Sequence, residues 1–85
     1  MPMTPDAIKI RSLPDYELLV SFEDGEQRRF SVKPYLRFPA YQPLTDPSRF
    51  MAAHVFNGTV AWPGDINISP DTLYIAGERL NPSNS

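Results

Sequence analysis

With 85 residues, 41% of them hydrophobic and 21% charged, the chain has room for one small domain and no second core, and its composition excludes wholesale disorder. Its net charge is −2 and its tightest basic cluster is only Arg28-Arg29, so no basic face is offered to phosphates and nucleic-acid binding by this chain alone is not expected. With no cysteine there is neither disulfide nor thiolate metal site, and the packed core has to supply the stability.

Residues 1–6, Met1-Pro2-Met3-Thr4-Pro5-Asp6, lack the basic-then-apolar plan of a secretory leader and read as an N-terminal extension. No hydrophobic run is long enough to span a bilayer, so a cytoplasmic protein without a membrane partner is expected. Ten prolines, about twice the usual frequency of roughly 5%, fall near element boundaries and enforce short elements with many turns.

Residues 7–13 read as a first strand, with Ile8 and Ile10 on one face and Lys9 and Arg11 on the other. After a turn at Pro14-Asp15, residues 16–22 place Tyr16, Leu18, Val20 and Phe22 on one face, and residues 26–32 do the same with Phe30 and Val32. Parity decides the intervening loop. A two-residue turn at Asp24-Gly25 would set Val20 against Arg29 and turn Phe30 and Val32 away from the apolar face. A three-residue loop, Glu23-Asp24-Gly25, pairs Leu18 with Phe30 and Tyr16 with Val32, and puts Gly25 where a type I turn with a G1 bulge needs a left-handed residue.

Residues 34–45 are proline-spaced and rich in large apolar groups (Leu36, Phe38, Tyr41, Leu44), which reads as a loop packed across the sheet. Asp46 as N-cap and Pro47 at the first helical position start a short helix running to about Ala53. Asn57-Gly58 is a type I′ hairpin signal, and a two-residue turn pairs Val55 with Val60 and Ala53 with Trp62. Pro63-Gly64 ends that strand, Ile66 and Ile68 alternate in a brief edge segment, and Ser69 caps a final helical turn carrying Leu73 and Tyr74. Residues 7–76 thus form a single domain and residues 77–85 read as a flexible tail. The expected fold is α+β: a small antiparallel β-sheet built from two β-hairpins plus an N-terminal strand, with one or two short helices.

Candidate chemistry is sparse. His54 is the only histidine, and no acid or nucleophile stands at a spacing that would make it a general base. Asp65-x-Asn67-x-Ser69 imitates the opening of a calcium loop, but the sixth and twelfth positions, which need Gly and Glu, hold Pro70 and Ala76. Glu23, Asp24 and Glu26 cluster at a solvated hairpin tip, and neither a nucleophile elbow nor a phosphate-cradling glycine loop is present. No catalytic, cofactor or metal residues are therefore assigned. Of the aromatic residues, Tyr35, Phe38, Tyr41 and Trp62 are candidates for a partner surface, weighed against a core that a chain without disulfides needs. Gly25, Asp46, Asn57, Gly58 and Ser69 carry structural roles in turns and caps.

Four stretches together resemble a known family: Phe22-Glu23-Asp24-Gly25-Glu26; Phe30-Ser31-Val32-Lys33-Pro34-Tyr35-Leu36; Pro43-Leu44-Thr45-Asp46-Pro47 followed by Phe50; and Gly58 through Tyr74, with Trp62-Pro63, Asp65-Ile66 and Pro70-Asp71-Thr72-Leu73-Tyr74. They are similar to the small bacterial domain-of-unknown-function 2442 family over roughly residues 7 to 76. Pro63-Gly64 is shorter than the Trp-Pro-Asn-Gly-Ala-Asp of many relatives. The resemblance implies a small α+β domain and no catalytic residues. It also implies a genetic setting beside another small protein, as in toxin–antitoxin-like pairs.

The expected function is a non-enzymatic protein-interaction module, antitoxin-like or regulatory, whose partner is another small protein from an adjacent gene; a homo-oligomer formed through edge strands or the 35–44 loop is a sub-case. The alternative is a small-ligand binder or enzyme with a site around Asp65, Asp71 and His54, which requires those groups to meet in one cleft.

Overall fold

The computed structural model describes residues 4–79. Strands β1 (Ala7–Leu13), β2 (Glu17–Phe22) and β3 (Gln27–Ser31) form an antiparallel meander, and β7 (Glu78–Arg79) pairs with the far edge of β3. A second antiparallel sheet contains β4 (His54–Phe56), β5 (Thr59–Trp62) and β6 (Ile66–Ile68). Helices α1 (Pro47–Phe50) and α2 (Pro70–Ala76) and 3₁₀ turns at Pro14–Tyr16, Lys33–Tyr35 and Pro39–Thr45 complete an α+β fold.

Both hairpins form in the registers that parity demands. Leu18 opposes Phe30, Tyr16 O accepts from Val32 N, and the loop is Glu23-Asp24-Gly25, with Gly25 at φ 90°. Among the described residues nothing crowds a side chain at position 25, so the left-handed backbone alone sets the preference there. Gly25→Val is expected to cost about 1–3 kcal/mol and Gly25→Asn less than half as much, since Asn tolerates the left-handed region. Equal melting temperatures for the two variants would refute this. At the second hairpin Val55 opposes Val60, with Asn57 at φ 51° and Gly58 at φ 79°, as a type I′ turn requires.

The strands divide into two sheets rather than one. Between the hairpins the chain spends residues 33–53 on 3₁₀ turns and α1, and the sheets are bridged by a backbone bond from Ala7 N to Gly58 O at 2.7 Å. Their facing surfaces share one core. Leu18, Val20, Phe22, Phe30 and Val32 from the first sheet meet Val60, Trp62, Ile66 and Ile68 from the second, closed by Leu44, Phe50 and Leu73.

Three local expectations are corrected. Ile8 does not share a face with Ile10: Ala7 opposes Phe22 and Lys9 opposes Ser21, so a bulge at Ile8 shifts parity, puts Ala7 in the core and leaves Ile8 exposed. Tyr16 lies ahead of β2 in a left-handed conformation (φ 62°), anchored by its hydroxyl to Thr45 O and by an edge-to-face contact with Phe50 at 5.3 Å. Glu78 and Arg79, expected in a flexible tail, form β7; residues 80–85 of that tail, like residues 1–3 of the N-terminal extension, lie outside the described residues. The rest of the extension is tied down: Asp6 N donates to Glu23 Oε2 at 3.2 Å, Asp6 O accepts from Glu23 N, and Thr4 Oγ1 donates to Asp71.

Both helices carry the expected caps. Asp46 accepts from Ser48 N at 3.0 Å and from Ser48 Oγ at 2.9 Å, and these bonds hold its carboxyl below the usual range. The helix it caps ends at Phe50, short of the Ala53 expected, and Met51 and Ala52 continue only as a turn. Ser69 Oγ accepts from Thr72 N at 3.2 Å. Ser69→Ala is expected to cost about 1 kcal/mol by thermal unfolding, whereas Ser69→Asp, which preserves an acceptor, costs much less.

Candidate functional site

The aromatic loop after β3 borders a groove on the surface. Pro34 and Pro39 break helix and strand alike, so the chain runs through two 3₁₀ turns that set Tyr35, Phe38 and Tyr41 on one side. Tyr35 is the hub: its ring centroid lies 5.4 Å from Phe30 below it, 6.3 Å from Phe38 and 6.1 Å from Tyr41. Beside this cluster is a groove of about 430 Å³, lined by residues 34–38 of the loop except Leu36, by Ala76 of α2 and by Phe30 and Ser31 of β3.

Phe38 is 46% exposed and Ile75, adjacent to Ala76, is 78% exposed. Ile75 turns outward because it lies two residues from Leu73, the buried position of α2, and so on the opposite side of the helix. Arg37 stacks over the Phe38 ring at 5.4 Å and takes part in no ion pair among the described residues. A large apolar group exposed beside a stacked guanidinium is a combination enriched where proteins bind proteins.

The four aromatic candidates separate. Tyr35 and Phe38 line the groove. Tyr41 acts as a strut: its hydroxyl donates to Asn67 O on β6 at 3.0 Å, tying the loop to the second sheet. Burial, with a smaller contribution from Tyr35, raises its phenol above the ordinary value of 10.0. Below pH 10 the phenol is neutral in folded and unfolded chains alike and its contribution is complete. Above pH 10 the unfolded chain loses the proton first, so stability falls as pH rises through the raised value. Stability is therefore expected to fall less steeply at alkaline pH in Tyr41→Phe than in wild type, read as denaturation midpoints against pH; identical alkaline slopes would contradict this.

Trp62 does not join the surface. It is 2% exposed, donates from Nε1 to Phe50 O at 2.9 Å, and packs 6.2 Å from the Phe50 ring. Its place is the core, where an indole needs an acceptor for its N–H.

The alternative constellation is only half assembled. His54 and Asp65 both line a shallow depression of about 240 Å³ with Phe56 and Asn67, and His54 Nδ1 lies 3.3 Å from Ala52 O. Asp71 is not among the residues lining it; its carboxylate accepts from Thr4. Among the described residues no group of three or more His, Cys, Asp or Glu side chains could hold a metal ion. At the hairpin tip Asp24 is held below its usual value, chiefly by the Glu26 N–H and also by the Tyr74 hydroxyl, which donates to it at 2.8 Å; Asp24 is thus a turn-stabilising carboxylate.

The basic pair also has structural work. Arg28 lies under the Tyr74 ring at 3.9 Å, donates to Tyr74 O at 2.7 Å and pairs with Glu26 at 3.3 Å, while Arg29 on the opposite face pairs with Glu17 and Glu78.

A family described as "Protein of unknown function (DUF2442)" matches residues 7–78. The chain belongs to the DUF2442 family. No curated protein and no solved structure matches it. The match spans every strand and helix described above except the last residue of β7, so the groove, the Trp62 core position and both hairpins all lie within the DUF2442 region. Among the described residues no helix is long and apolar enough to cross a membrane.

Five groove residues, Phe30, Ser31, Pro34, Arg37 and Ala76, are not in the aromatic set that the sequence offers as a partner surface. Arg37 carries a local signal, standing between Tyr35 and Phe38 in a loop. Ser31 and Ala76 come together only through the packing of α2 beside β3 and have no local signal.

Proposed function

We propose that this DUF2442 chain is a non-enzymatic, cytoplasmic protein-interaction module whose contact surface is the groove beside Tyr35 and Phe38. The observation that supports the reading is the exposed Phe38 ring, packed beside Tyr35 and stacked against Arg37. Burying Phe38 against a partner would remove its apolar surface from water, and its packing beside Tyr35 lowers the ordering cost.

The partner is another small protein encoded beside this one, in an antitoxin-like or regulatory pairing. Co-expression of the two gene products tests this, with co-purification and host growth as readouts. A stoichiometric complex, together with growth inhibition by the neighbour that this chain relieves, is the expected result. Independent elution of the two proteins would count against the pairing. A complex without any effect on growth would retain the interaction and remove the antitoxin-like role.

A further inference from the structure

We propose that the groove takes an extended peptide segment of the partner, one in which a large apolar side chain stands next to an aspartate or glutamate. The inference rests on the interaction reading above and specifies the chemistry of what is recognised.

Three features converge on that occupant. The first is the apolar lining of Phe30, Tyr35 and Phe38, which suits one bulky apolar side chain. The second is charge. Lys33 at the start of the same loop is already paired with Asp15 at 3.1 Å, as Arg28, Arg29, Arg49 and Arg79 are with carboxylates of their own. Arg37 is the groove's cation and pairs with no carboxylate among the described residues, and stacking on Phe38 leaves the edge of its guanidinium open to one.

The third is a strand edge that is open among the described residues. Phe22 N donates to Glu26 O and Val32 N to Tyr16 O, so even-numbered residues across β3 direct their backbone groups toward β2. Ser31, at an odd position, directs its N–H and C=O to the outer edge. There β7 pairs only with Arg28 and Arg29, and the residues before it, which would continue the pairing toward Ser31, belong to the C-cap Gly77 and to α2. Ser31 also lines the groove. An extended segment can therefore pair with that edge while its side chain enters the groove and a neighbouring carboxylate meets Arg37.

The test uses the full chain and short blocked peptides carrying Leu or Phe flanked by Asp or Glu, with matched peptides carrying Lys in the acidic places. Binding is read by fluorescence anisotropy of labelled peptide. The acidic peptides are expected to bind about tenfold more tightly than the basic ones, the effect of one charge-assisted contact. Arg37→Gln is expected to abolish that preference, and Phe38→Ser to remove binding of both sets while lowering the melting temperature by only a few degrees. N-methylation of the peptide backbone at the residue paired with Ser31 is expected to weaken binding further.

Equal affinity for acidic and basic peptides, or a preference that survives Arg37→Gln, would overturn the proposal. So would a dimer of this chain that Phe38→Ser dissociates while no peptide binds, since the occupant would then be a second copy. If no peptide binds but the neighbouring gene product binds wild type and not Phe38→Ser, the peptide chemistry is wrong and the interaction reading stands. If that product binds both proteins alike, the groove reading itself fails.

Discussion

Trp62→Ala is expected to destabilise the domain by about 3–5 kcal/mol, as the loss of a large buried aromatic side chain does. The indole is buried at the junction of the two sheets, among Ile66, Ile68, Val60 and Phe50, and its Nε1 donates to Phe50 O. Truncation opens a cavity between the two sheets and removes one of the two donors to Phe50 O, which keeps the Ala53 N–H at 3.3 Å. A domain of this size has a total stability of roughly 5–15 kcal/mol, so the variant is expected near its threshold at ambient temperature. Trp62→Phe keeps most of the volume and loses only the hydrogen bond, for a cost of about 1–2 kcal/mol. Urea denaturation followed by circular dichroism measures both. A Trp62→Ala protein as stable as wild type would place the indole outside the core.

The second large effect is expected at Arg28. Its guanidinium is the bolt that fastens the C-terminal helix and strand to the first hairpin: it donates to Tyr74 O, lies beneath the Tyr74 ring and pairs with Glu26, whose carboxylate also holds Arg79 of β7. Arg28→Ala leaves Tyr74 O without that donor and Glu26 with one cation fewer. A loss of about 2–3 kcal/mol is expected, since hydrogen bonds to charged groups in half-buried positions are worth that much. Arg28→Lys recovers only part of it, because a single ammonium nitrogen cannot replace two guanidinium nitrogens held apart, one at Tyr74 O and one at Glu26, on a planar group stacked on the Tyr74 ring. The damage is local before it is global. Amide exchange is expected to accelerate in α2 and β7 while the β1–β2 ladder stays protected. Because Ala76 lines the groove, the same variant is expected to weaken partner binding although Arg28 does not line it.

Trp62 and Arg28 also mark what the sequence discloses and what it withholds. Both hairpin loops are legible because a one-residue error would bury polar side chains; Leu18 opposite Phe30 and Val55 opposite Val60 follow from parity alone. The caps at Asp46 and Ser69 are legible from local chemistry. The same parity that turns Phe30 and Val32 inward also turns Arg28 inward, where α2 covers it.

The bulge at Ile8 is not legible, because Ala7 and Ile8 are both apolar and an inserted residue leaves the composition of the strand unchanged. Nor is β7. Two charged residues carry no strand pattern, and what holds Glu78 and Arg79 are ion pairs to Arg29 and Glu26, nearly fifty residues or more away in sequence. At the candidate site, Tyr35 and Phe38 announce themselves as loop aromatics. The lining at Ala76 and the open edge at Ser31 exist only after α2 has packed beside β3. Trp62 draws notice for its rarity, yet an indole that is 2% exposed serves the fold.

The most direct test of the groove as the working surface is the affinity of the neighbouring gene product for three proteins: wild type, Phe38→Ser and Phe56→Ser. Phe38 and Phe56 are both exposed, but they line different depressions, one at the β3 edge and one on the second hairpin. Removing an anchor ring from an interface costs about 2 kcal/mol or more, so Phe38→Ser is expected to raise the dissociation constant roughly 30-fold while Phe56→Ser leaves it unchanged. Loss of binding by Phe56→Ser with full affinity retained by Phe38→Ser would contradict it and move the working surface to the second hairpin.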